Sequence, residues 1–382
     1  MTRTLVVTND FPPRPGGIQT FVHELVRRLP PDDVLVYASR FRGWEDFDAT
    51  LPFRVVREDT SVLLPRGSVS RTAARLARDR GAGAVLFGAA APLGLLAPAL
   101  RDAGVGRAVG LTHGHEAGWA GYPGTRQVLR RVADRLDVLT YLGDYTAGRI
   151  RAAVSPAAAA RMVQLAPGVD TSVFRPDVDA SGVRDALGLA DRPVVVCVSR
   201  LMPRKGQDVL IKALPRIRRQ AADTALLLVG GGPHRAALER LARDTGMGSH
   251  VVLTGSVPLE TLPAHYAAGD VFAMPCRTRH LGLDVEGLGI VYLEASATGL
   301  PVVAGRSGGA PDAVVAGTTG DVVDGTDVVQ VADTVAALLT DSDRRRRYGD
   351  AGRTWVEQRW TWDEAARRLQ GLLAGSADSP GV

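Results

Sequence analysis

The sequence predicts an α/β protein with two Rossmann-like domains, and three observations lead to this fold class. Its 382 residues exceed what one hydrophobic core usually supports. Apolar residues make up 45% of the chain and charged residues 23%, which is ordinary for a globular protein. Short β-branched runs alternate with longer amphipathic stretches throughout, which is typical of buried parallel sheets covered by helices.

Ten short apolar runs are predicted as strands, five in each half of the chain. Ligands bind at the carboxyl ends of strands in such sheets, so the segments that follow these runs are the candidate sites. The predicted strands are LVVTN (5–9), VLVYAS (34–39), AVLFGA (84–89), AVGLTH (108–113), VLTYL (138–142), VVVCVSR (194–200), ALLLVGGG (225–232), VVLTGSV (251–257), VFAMP (271–275) and PVVAG (301–305).

The domain boundary is predicted in LAPGVDTSVFRPD, residues 165–177, where proline and glycine cluster and the periodicity lapses. We expect an N-terminal domain of residues 1–170 and a C-terminal domain of residues 171–354. The amphipathic segment 355–375 is predicted as a further helix.

The composition argues against several protein classes. The two cysteines have no metal-binding spacing and are too few for a disulfide framework, so we expect a reducing cytoplasm. The longest apolar stretch, residues 88–100, is 13 residues long and broken by prolines, too short to span a bilayer.

Positive charge is concentrated in the first half. Residues 1–170 contain 22 arginines and 16 acidic residues, a net charge of +6, whereas the remainder, with 24 basic and 25 acidic residues, has −1. Arginines recur at helical spacing in RTAARLARDR (71–80) and RQVLRRVADRL (126–136). Such a half can bind nucleic acid or an anionic membrane, or its helices can simply be solvated.

The segment after the first strand, NDFPPRPGGIQTFVHELVRRL (9–29), is a candidate phosphate cradle. Gly16 and Gly17 would let the backbone approach a ligand, and a helix predicted from about Ile18 would present its N-terminal amides. The alternative is a turn with no ligand. The segment matches neither a P-loop nor the Gly-x-Gly-x-x-Gly fingerprint.

THGHE (112–116) ends another predicted strand and places His113 where it can hydrogen-bond a ligand. His115 is a poor second zinc ligand, because residues two apart diverge and no third ligand is evident.

SRLMPRKGQDVLIKAL (199–214) follows the first strand of the second half and contains Arg200 and Lys205. Lysine is rare here, since only Lys205 and Lys212 occur among 46 basic residues. A guanidinium and an ammonium in one loop suit a diphosphate. The alternative is two solvated surface cations.

DVEGLGIVYLEASATG (284–299) combines a flexible run with two carboxylates. The amides of Gly287, Leu288 and Gly289 could reach a phosphate where a helix starts near Ile290. Ionised carboxylates accept hydrogen bonds, so Glu286 and Glu294 suit the hexose and the ribose of a nucleotide sugar. A helix-end charge would explain the first glutamate but not the second.

Together, the Glu-x7-Glu pair, Arg200 with Lys205, the Gly-Gly loop and SGGAPD (307–312) resemble retaining glycosyltransferases of the GT-B fold, family four. More narrowly, the chain is similar to the PimB-type, GDP-mannose-dependent phosphatidylinositol mannoside mannosyltransferases. Asp312 and His280 depart from that family's usual residues. The narrower resemblance rests on VTNDFPPRPGGIQ, FGAAAPL, THGHEAGW, SRLMPRKGQD, MPCRTR and LDVEGLGIVYLEASATG.

The resemblance implies two domains facing across a cleft, with acceptor binding in the N-terminal domain, donor binding in the C-terminal domain and helix 355–375 crossing back to the first. It implies GDP-mannose as co-substrate, no cofactor, and a glycolipid acceptor at an anionic membrane surface, with neither nucleic acid nor an obligate protein partner. The donor site would comprise Gly16, Gly17, Arg200, Lys205, Val257, Glu286, Gly287, Leu288, Gly289, Ile290 and Glu294. The base would rest on backbone near residues 255–257.

The resemblance also implies a catalytic set of His113, Arg200, Lys205 and Glu286, without a metal. DFD (46–48) resembles the metal-binding triplet of other transferases, but we expect it to be solvated. Retention could use Glu286 as a nucleophile or front-face attack, which we prefer. The rival functions are a UDP-sugar-dependent glycosyltransferase with a soluble acceptor and a nucleotide-sugar 2-epimerase.

Overall fold

The computed structural model describes residues 2–282 and 284–376, and the chain divides into two compact α/β units. The first unit comprises residues 1–168 together with 362–382, and the second comprises residues 169–361.

The first unit is built on one parallel sheet, which has seven strands over the described residues. The strands are β1 (Thr4–Thr8), β2 (Val34–Ser39), β3 (Arg54–Glu58), β4 (Ala84–Phe87), β5 (Arg107–Gly110), β6 (Val138–Tyr141) and β7 (Met162–Gln164). Their order in the sheet is β3-β2-β1-β4-β5-β6-β7. Central strands such as β1 and β4 are buried along their whole length, because helices cover both faces.

The helices of this unit pack one apolar face on the sheet and expose the other. The two arginine-rich segments are helical as predicted, and Arg71, Arg75 and Arg78 are exposed while Ala73 and Ala77 are buried. The helices are α1 (Gly17–Val26), α2 (Trp44–Asp48), α3 (Gly67–Arg80), α4 (Ala90–Leu93), α5 (Ala97–Arg101), α6 (Glu116–Trp119), α7 (Pro123–Arg135), α8 (Asp144–Arg151) and α9 (Pro156–Ala159).

The second unit has a parallel sheet with six strands over the described residues, in the order β10-β9-β8-β11-β12-β13. These strands are β8 (Val194–Val198), β9 (Ala225–Val229), β10 (Val251–Gly255), β11 (Val271–Met274), β12 (Val302–Gly305) and β13 (Gly320–Val323). The helices are α10 (Ser181–Ala186), α11 (Gln207–Gln220), α12 (Arg235–Asp244), α13 (Leu262–Ala267), α14 (Ile290–Ala297), α15 (Val328–Thr340) and α16 (Ser342–Arg359).

All ten predicted strands are confirmed, and the three that the sequence pattern missed, β3, β7 and β13, are each at the edge of a sheet. An edge strand has one neighbour and tolerates polar residues, as in RVVRE of β3. The continuous apolar pattern that marks a buried strand is therefore absent there.

The prediction of a single helix over residues 355–375 is wrong. Helix α16 ends at Arg359, and a separate helix, α17 (Trp362–Ala374), follows. The chain breaks between them because Val169 donates a backbone hydrogen bond to the Trp360 carbonyl at 2.6 Å and forms a bridge with Thr361. Helix α17 belongs to the first unit, where Arg28 bonds Asp363 at 3.1 Å.

Candidate functional site

One loop of the second unit, residues 199–206, carries both predicted donor-binding cations. It leaves β8 and passes Arg200, then forms a 3-10 turn over Pro203–Lys205. Gly206 adopts a left-handed φ of 78°, and a Cβ there would lie 2.1 Å from the Pro275 carbonyl oxygen. Only glycine fits this approach, so the PRKG sequence turns tightly into α11 with Arg200 and Lys205 five residues apart in one loop.

Lys205 and Glu286 form a buried ion pair. The Lys205 Nζ lies 2.6 Å from Glu286 Oε2, and the two residues are 9% and 7% exposed. The Arg204 Nε lies 3.9 Å from the same oxygen. Two cations therefore flank one carboxylate, and the second Glu286 oxygen has no hydrogen-bond donor among the described residues.

The same edge of the sheet has a pocket of about 570 Å³ that contains Arg200 and Val257. Arg200 is exposed, and its guanidinium has no ion pair within the part of the chain that the structure describes. The pocket brings these two predicted donor residues together. It is lined by Val198, Ser199, Arg200, Val229, Gly230, Gly231, Gly232, Ser256, Val257 and Leu262.

Sequence reasoning missed the glycine wall of this pocket. A Cβ at Gly230 would lie 2.2 Å from the Ser199 carbonyl oxygen, and one at Gly232 would lie 2.4 Å from that of Leu201. The two loops can approach each other only because side chains are absent. The GGG directly after the β9 run was the available signal, since glycines at the carboxyl end of a strand often mark a ligand site.

Gln207 was also missed, and it holds the loop that carries Arg200. Its side chain is fully buried, and Nε2 donates to Ser199 Oγ at 2.8 Å and to the Arg200 carbonyl at 3.0 Å. A single amide thus fixes the backbone beneath Arg200. Its Oε1 has no partner among the described residues.

The glycine-rich turn at 287–289 leads into α14, which begins at Ile290 as predicted. Gly289 has a left-handed φ of 81°, and no side chain of the described residues caps the helix. Residues 307–309 pack against this turn. Gly309 N donates a hydrogen bond to the Glu286 carbonyl at 2.9 Å, and a Cβ at Gly308 would lie 2.0 Å from that oxygen. The SGG sequence is therefore needed for packing, and it positions Glu286 and the amides of 287–290.

Glu294 lies in α14, and the Tyr266 hydroxyl donates a hydrogen bond to its Oε2 at 2.6 Å. Tyr266 is fully buried, and burial raises its pKa well above the ordinary value of 10. Burial also raises the pKa of Glu294. One carboxylate oxygen is thus committed to the tyrosine, which fixes the orientation of the other.

In the first unit, Gly16 and Gly17 form the start of α1 without a side-chain cap. Gly16 has φ 151° and a Cβ there would lie 2.2 Å from Gln19 Oε1, so glycine is required. Gln19 in turn donates to Asp10 at 2.7 Å. The first turn contains no acidic residue, which leaves its amides suited to an anion.

His113 follows β5 and is held from two sides. Its Nε2 lies 2.5 Å from the Gly88 carbonyl, which can only accept, so Nε2 carries the proton and Nδ1 is an acceptor. Its backbone N donates to the buried Glu116 carboxylate at 2.9 Å. Burial lowers the His113 pKa, so at neutral pH the ring can accept a hydrogen bond from a hydroxyl.

Comparisons with known proteins show the family to which the chain belongs. The glycosyl transferases group 1 family model matches residues 183–355. A GDP-mannose-dependent alpha-(1-6)-phosphatidylinositol monomannoside mannosyltransferase from Mycolicibacterium smegmatis is 53% identical over 98% of this chain and 99% of its own length. The chain belongs to this mannosyltransferase family. A relative with the same description from Mycobacterium tuberculosis is 51% identical over 98% of this chain and 99% of its own.

The solved structure of HepE from Anabaena in complex with UDP has a TM-score of 0.82 and 19% identity, covering 98% of this chain and 100% of that one. At this identity the likeness shows the fold alone, which is the GT-B fold of two parallel α/β sheets. In the described part of the chain, no helix combines the length and apolar character that a bilayer crossing requires.

The two residues that depart from the family pattern, Asp312 and His280, both lie in the second unit. Asp312 is part of a 3-10 turn over Ala310–Ala313, and its backbone N donates to the Gly309 carbonyl at 3.0 Å. His280 is exposed and has a left-handed φ of 50°, which is uncommon for a residue other than glycine.

The expectation that the DFD triplet is solvated is wrong for Asp48. It ends α2, and its carboxylate pairs with Arg57 at 2.7 and 2.9 Å. The Arg57 side chain is 1% exposed and also donates to the Pro12 carbonyl at 2.6 Å. Asp48 thus neutralises a buried guanidinium. Among the described residues, no group of three or more His, Cys, Asp or Glu side chains is arranged to hold a metal.

Proposed function

We propose that this chain is a retaining mannosyltransferase that transfers an α-mannosyl residue from GDP-mannose to a phosphatidylinositol mannoside-type glycolipid. The observation that carries the proposal is the buried ion pair between Lys205 and Glu286. The loop that contains Lys205 also brings Arg200 to the pocket. An anion-binding ammonium beside a hydroxyl-binding carboxylate suits a donor whose diphosphate adjoins its hexose.

In this proposal the pocket at 198–200, 229–232 and 256–257 takes the nucleoside. Arg200 and Lys205 bind the diphosphate, together with the backbone amides of 287–290. As the bond from the sugar to the diphosphate breaks, negative charge grows on the leaving group, and fixed cations and amides stabilise it. Glu286 accepts hydrogen bonds from the hexose hydroxyls, and Glu294 from the ribose.

Retention proceeds by front-face attack. The acceptor hydroxyl oxygen attacks the anomeric carbon on the face that the diphosphate leaves, the bond from that carbon to the diphosphate oxygen breaks, and the hydroxyl proton passes to the departing diphosphate. His113 fits a positioning role, because its neutral Nδ1 accepts a hydrogen bond from a sugar hydroxyl. A Lys205-paired Glu286 is better suited to binding hydroxyls than to forming a covalent intermediate.

The protein is cytoplasmic and associates peripherally with the inner face of the cell membrane. There the first unit binds the glycolipid acceptor. Its net charge of +6, with Arg71, Arg75 and Arg78 exposed on α3, supports binding to an anionic leaflet. Each such residue near the surface contributes about 1 kcal/mol.

The donor assignment is tested by titrating the purified protein with GDP and with UDP, followed by transfer assays with GDP-mannose and purified phosphatidylinositol monomannoside. We expect GDP to bind more tightly and mannose to appear in the lipid fraction. Preferential binding of UDP, or donor turnover without any acceptor, would instead favour the UDP-sugar transferase or the epimerase.

The membrane assignment is tested by sedimentation with liposomes of neutral lipid and of neutral lipid plus 30 mol% (about one lipid in three) anionic lipid at low salt. The wild type should sediment only with the anionic vesicles, and a variant with Arg71, Arg75 and Arg78 changed to Gln should sediment less. Equal sedimentation of the wild type with both vesicle types would remove the membrane proposal.

A further inference from the structure

Glu286 forms a four-residue charge cluster with Arg204, Lys205 and Asp284, and one donor of Arg204 is unused among the described residues. Arg204 is 27% exposed in its side chain, and its buried Nε has no hydrogen-bond partner among the described residues. Its nearest carboxylates are Asp284, 3.5 Å from Nη1, and Glu286, 3.9 Å from Nε. The second distance is too long for a hydrogen bond.

The cluster is neutral in the free protein, with Arg204 and Lys205 balancing Asp284 and Glu286. Among the described residues, Glu286 Oε2 has a single hydrogen bond, from the Lys205 ammonium at 2.6 Å. An incoming diphosphate brings further negative charge and competes for that ammonium. A hydrogen bond that Lys205 donates to the phosphate is lost to the Glu286 carboxylate, and Glu286 is only 7% exposed. A buried charge that loses its partner is strongly destabilised.

We infer that Arg204 is a positioning residue that takes over Glu286 when the donor diphosphate draws Lys205 away. A movement of about 1 Å would bring the Nε–H group from 3.9 Å into hydrogen-bond range of the same carboxylate oxygen. The unpartnered Arg204 Nε–H group then donates the hydrogen bond that Glu286 loses from Lys205. Glu286 keeps a cationic partner while its other oxygen binds the hexose, and Lys205 binds the diphosphate. This inference rests on the proposed function, since it requires a diphosphate ligand at Lys205.

A double-mutant cycle on GDP affinity tests the inference. Arg204→Met is measured by calorimetry in the wild type and in Glu286→Gln, where the carboxylate to be protected is absent. We expect Arg204→Met to weaken GDP binding roughly 10- to 100-fold in the wild type, which corresponds to one charge-assisted hydrogen bond. In the Glu286→Gln background the loss should be below about threefold, because a neutral amide tolerates the loss of a cation.

Equal losses in both backgrounds would overturn the inference, because they would mean that Arg204 binds the diphosphate directly or supports the fold. No loss in either background would overturn it as well. Thermal unfolding of each variant shows whether the protein is intact. If Arg204→Met does not fold, Arg204→Lys enters the same cycle: it keeps the charge but lacks the buried Nε–H donor, and a smaller coupling of the same sign is expected.

Arg216→Met is the matched control. Arg216 is in the same unit, on α11, and bonds Asp333 at 2.6 Å, so the variant loses an ion-paired guanidinium away from Glu286. It should leave GDP affinity unchanged. If wild-type protein fails to bind GDP, the donor assignment fails in that first titration, and the cycle is run with UDP, which has the same diphosphate. The two proposals therefore fail in different measurements.

Discussion

Replacing Lys205 with Ala should abolish most of the transfer activity while the protein remains folded. The ammonium is the short-range partner of Glu286 at 2.6 Å and is 9% exposed, so little water can substitute for it. Removing one preorganised group that stabilises transition-state charge costs roughly 100- to 1,000-fold in kcat, or about 2.7 to 4 kcal/mol of barrier. Arg204, already 3.9 Å from Glu286, limits the cost to stability because a cation remains beside the carboxylate.

The assay is transfer of radiolabelled mannose from GDP-mannose to a purified glycolipid acceptor under saturating donor. It needs a detection limit near 10⁻⁴, or about one part in ten thousand, of wild-type turnover to cover the expected range. Lys212→Ala is the control, because it removes the chain's other lysine, which is exposed on α11. That variant should match the wild type. Turnover of Lys205→Ala within tenfold of wild type, with an unchanged unfolding temperature, would show that the leaving-group charge is stabilised elsewhere.

Three further predictions concern Glu286, Gly308 and His250. Glu286→Gln should retain detectable turnover, because the carboxylate binds hydroxyls, and mass spectrometry that finds a glycosylated Glu286 would contradict this. Gly308→Ala should lower the free energy of unfolding by more than the roughly 1–3 kcal/mol of a strained backbone, because its Cβ would also meet the Glu286 carbonyl at 2.0 Å. Gly317→Ala, with φ 76° and open space around the Cβ, isolates the strain alone. The His250 pKa is lowered by burial and by neighbouring guanidinium groups, so the unfolded chain binds the proton more tightly. Urea denaturation should therefore show stability falling as pH drops below 6.5, by less than about 1 kcal/mol because the imidazole is only partly buried, and the His250→Asn variant should lose that part of the pH dependence.

Much of the site was predictable because it lies where buried strands end. Continuous apolar runs identify the central strands, and the residues just after them are at the ligand-binding edge. Arg200, Lys205 and the helix start at Ile290 could be placed in this way. The glycines at 230–232 could also have been found, since they follow the β9 run directly. The edge strands β3, β7 and β13 gave no such signal, because a strand with one neighbour can be polar.

What the sequence pattern could not provide is which strand ends are neighbours. Lys205 and Glu286 are 81 residues apart, and their pairing depends on β8 lying beside β11 rather than beside β12 or β13. In the strand order, β9 and β10 lie on one side of β8, and β11, β12 and β13 lie on the other side. The loops that follow β8 and β11 therefore meet at one edge of the sheet, where Gly206 packs against the Pro275 carbonyl and Lys205 reaches Glu286.

The first unit repeats this arrangement with different chemistry. Its strand order reverses between β1 and β4, and the neighbouring strand ends supply the α1 amides, the Gly88 carbonyl and His113. The ring of Phe21 on α1 meets the His113 ring edge-on at 5.7 Å, which places the imidazole against the helix that begins at Gly17. The same topology thus places a lysine–glutamate ion pair at the switch point of one unit and an imidazole with a lowered pKa at that of the other. The difference lies in the side chains at the switch point: a buried lysine in one case and a histidine kept neutral by burial in the other.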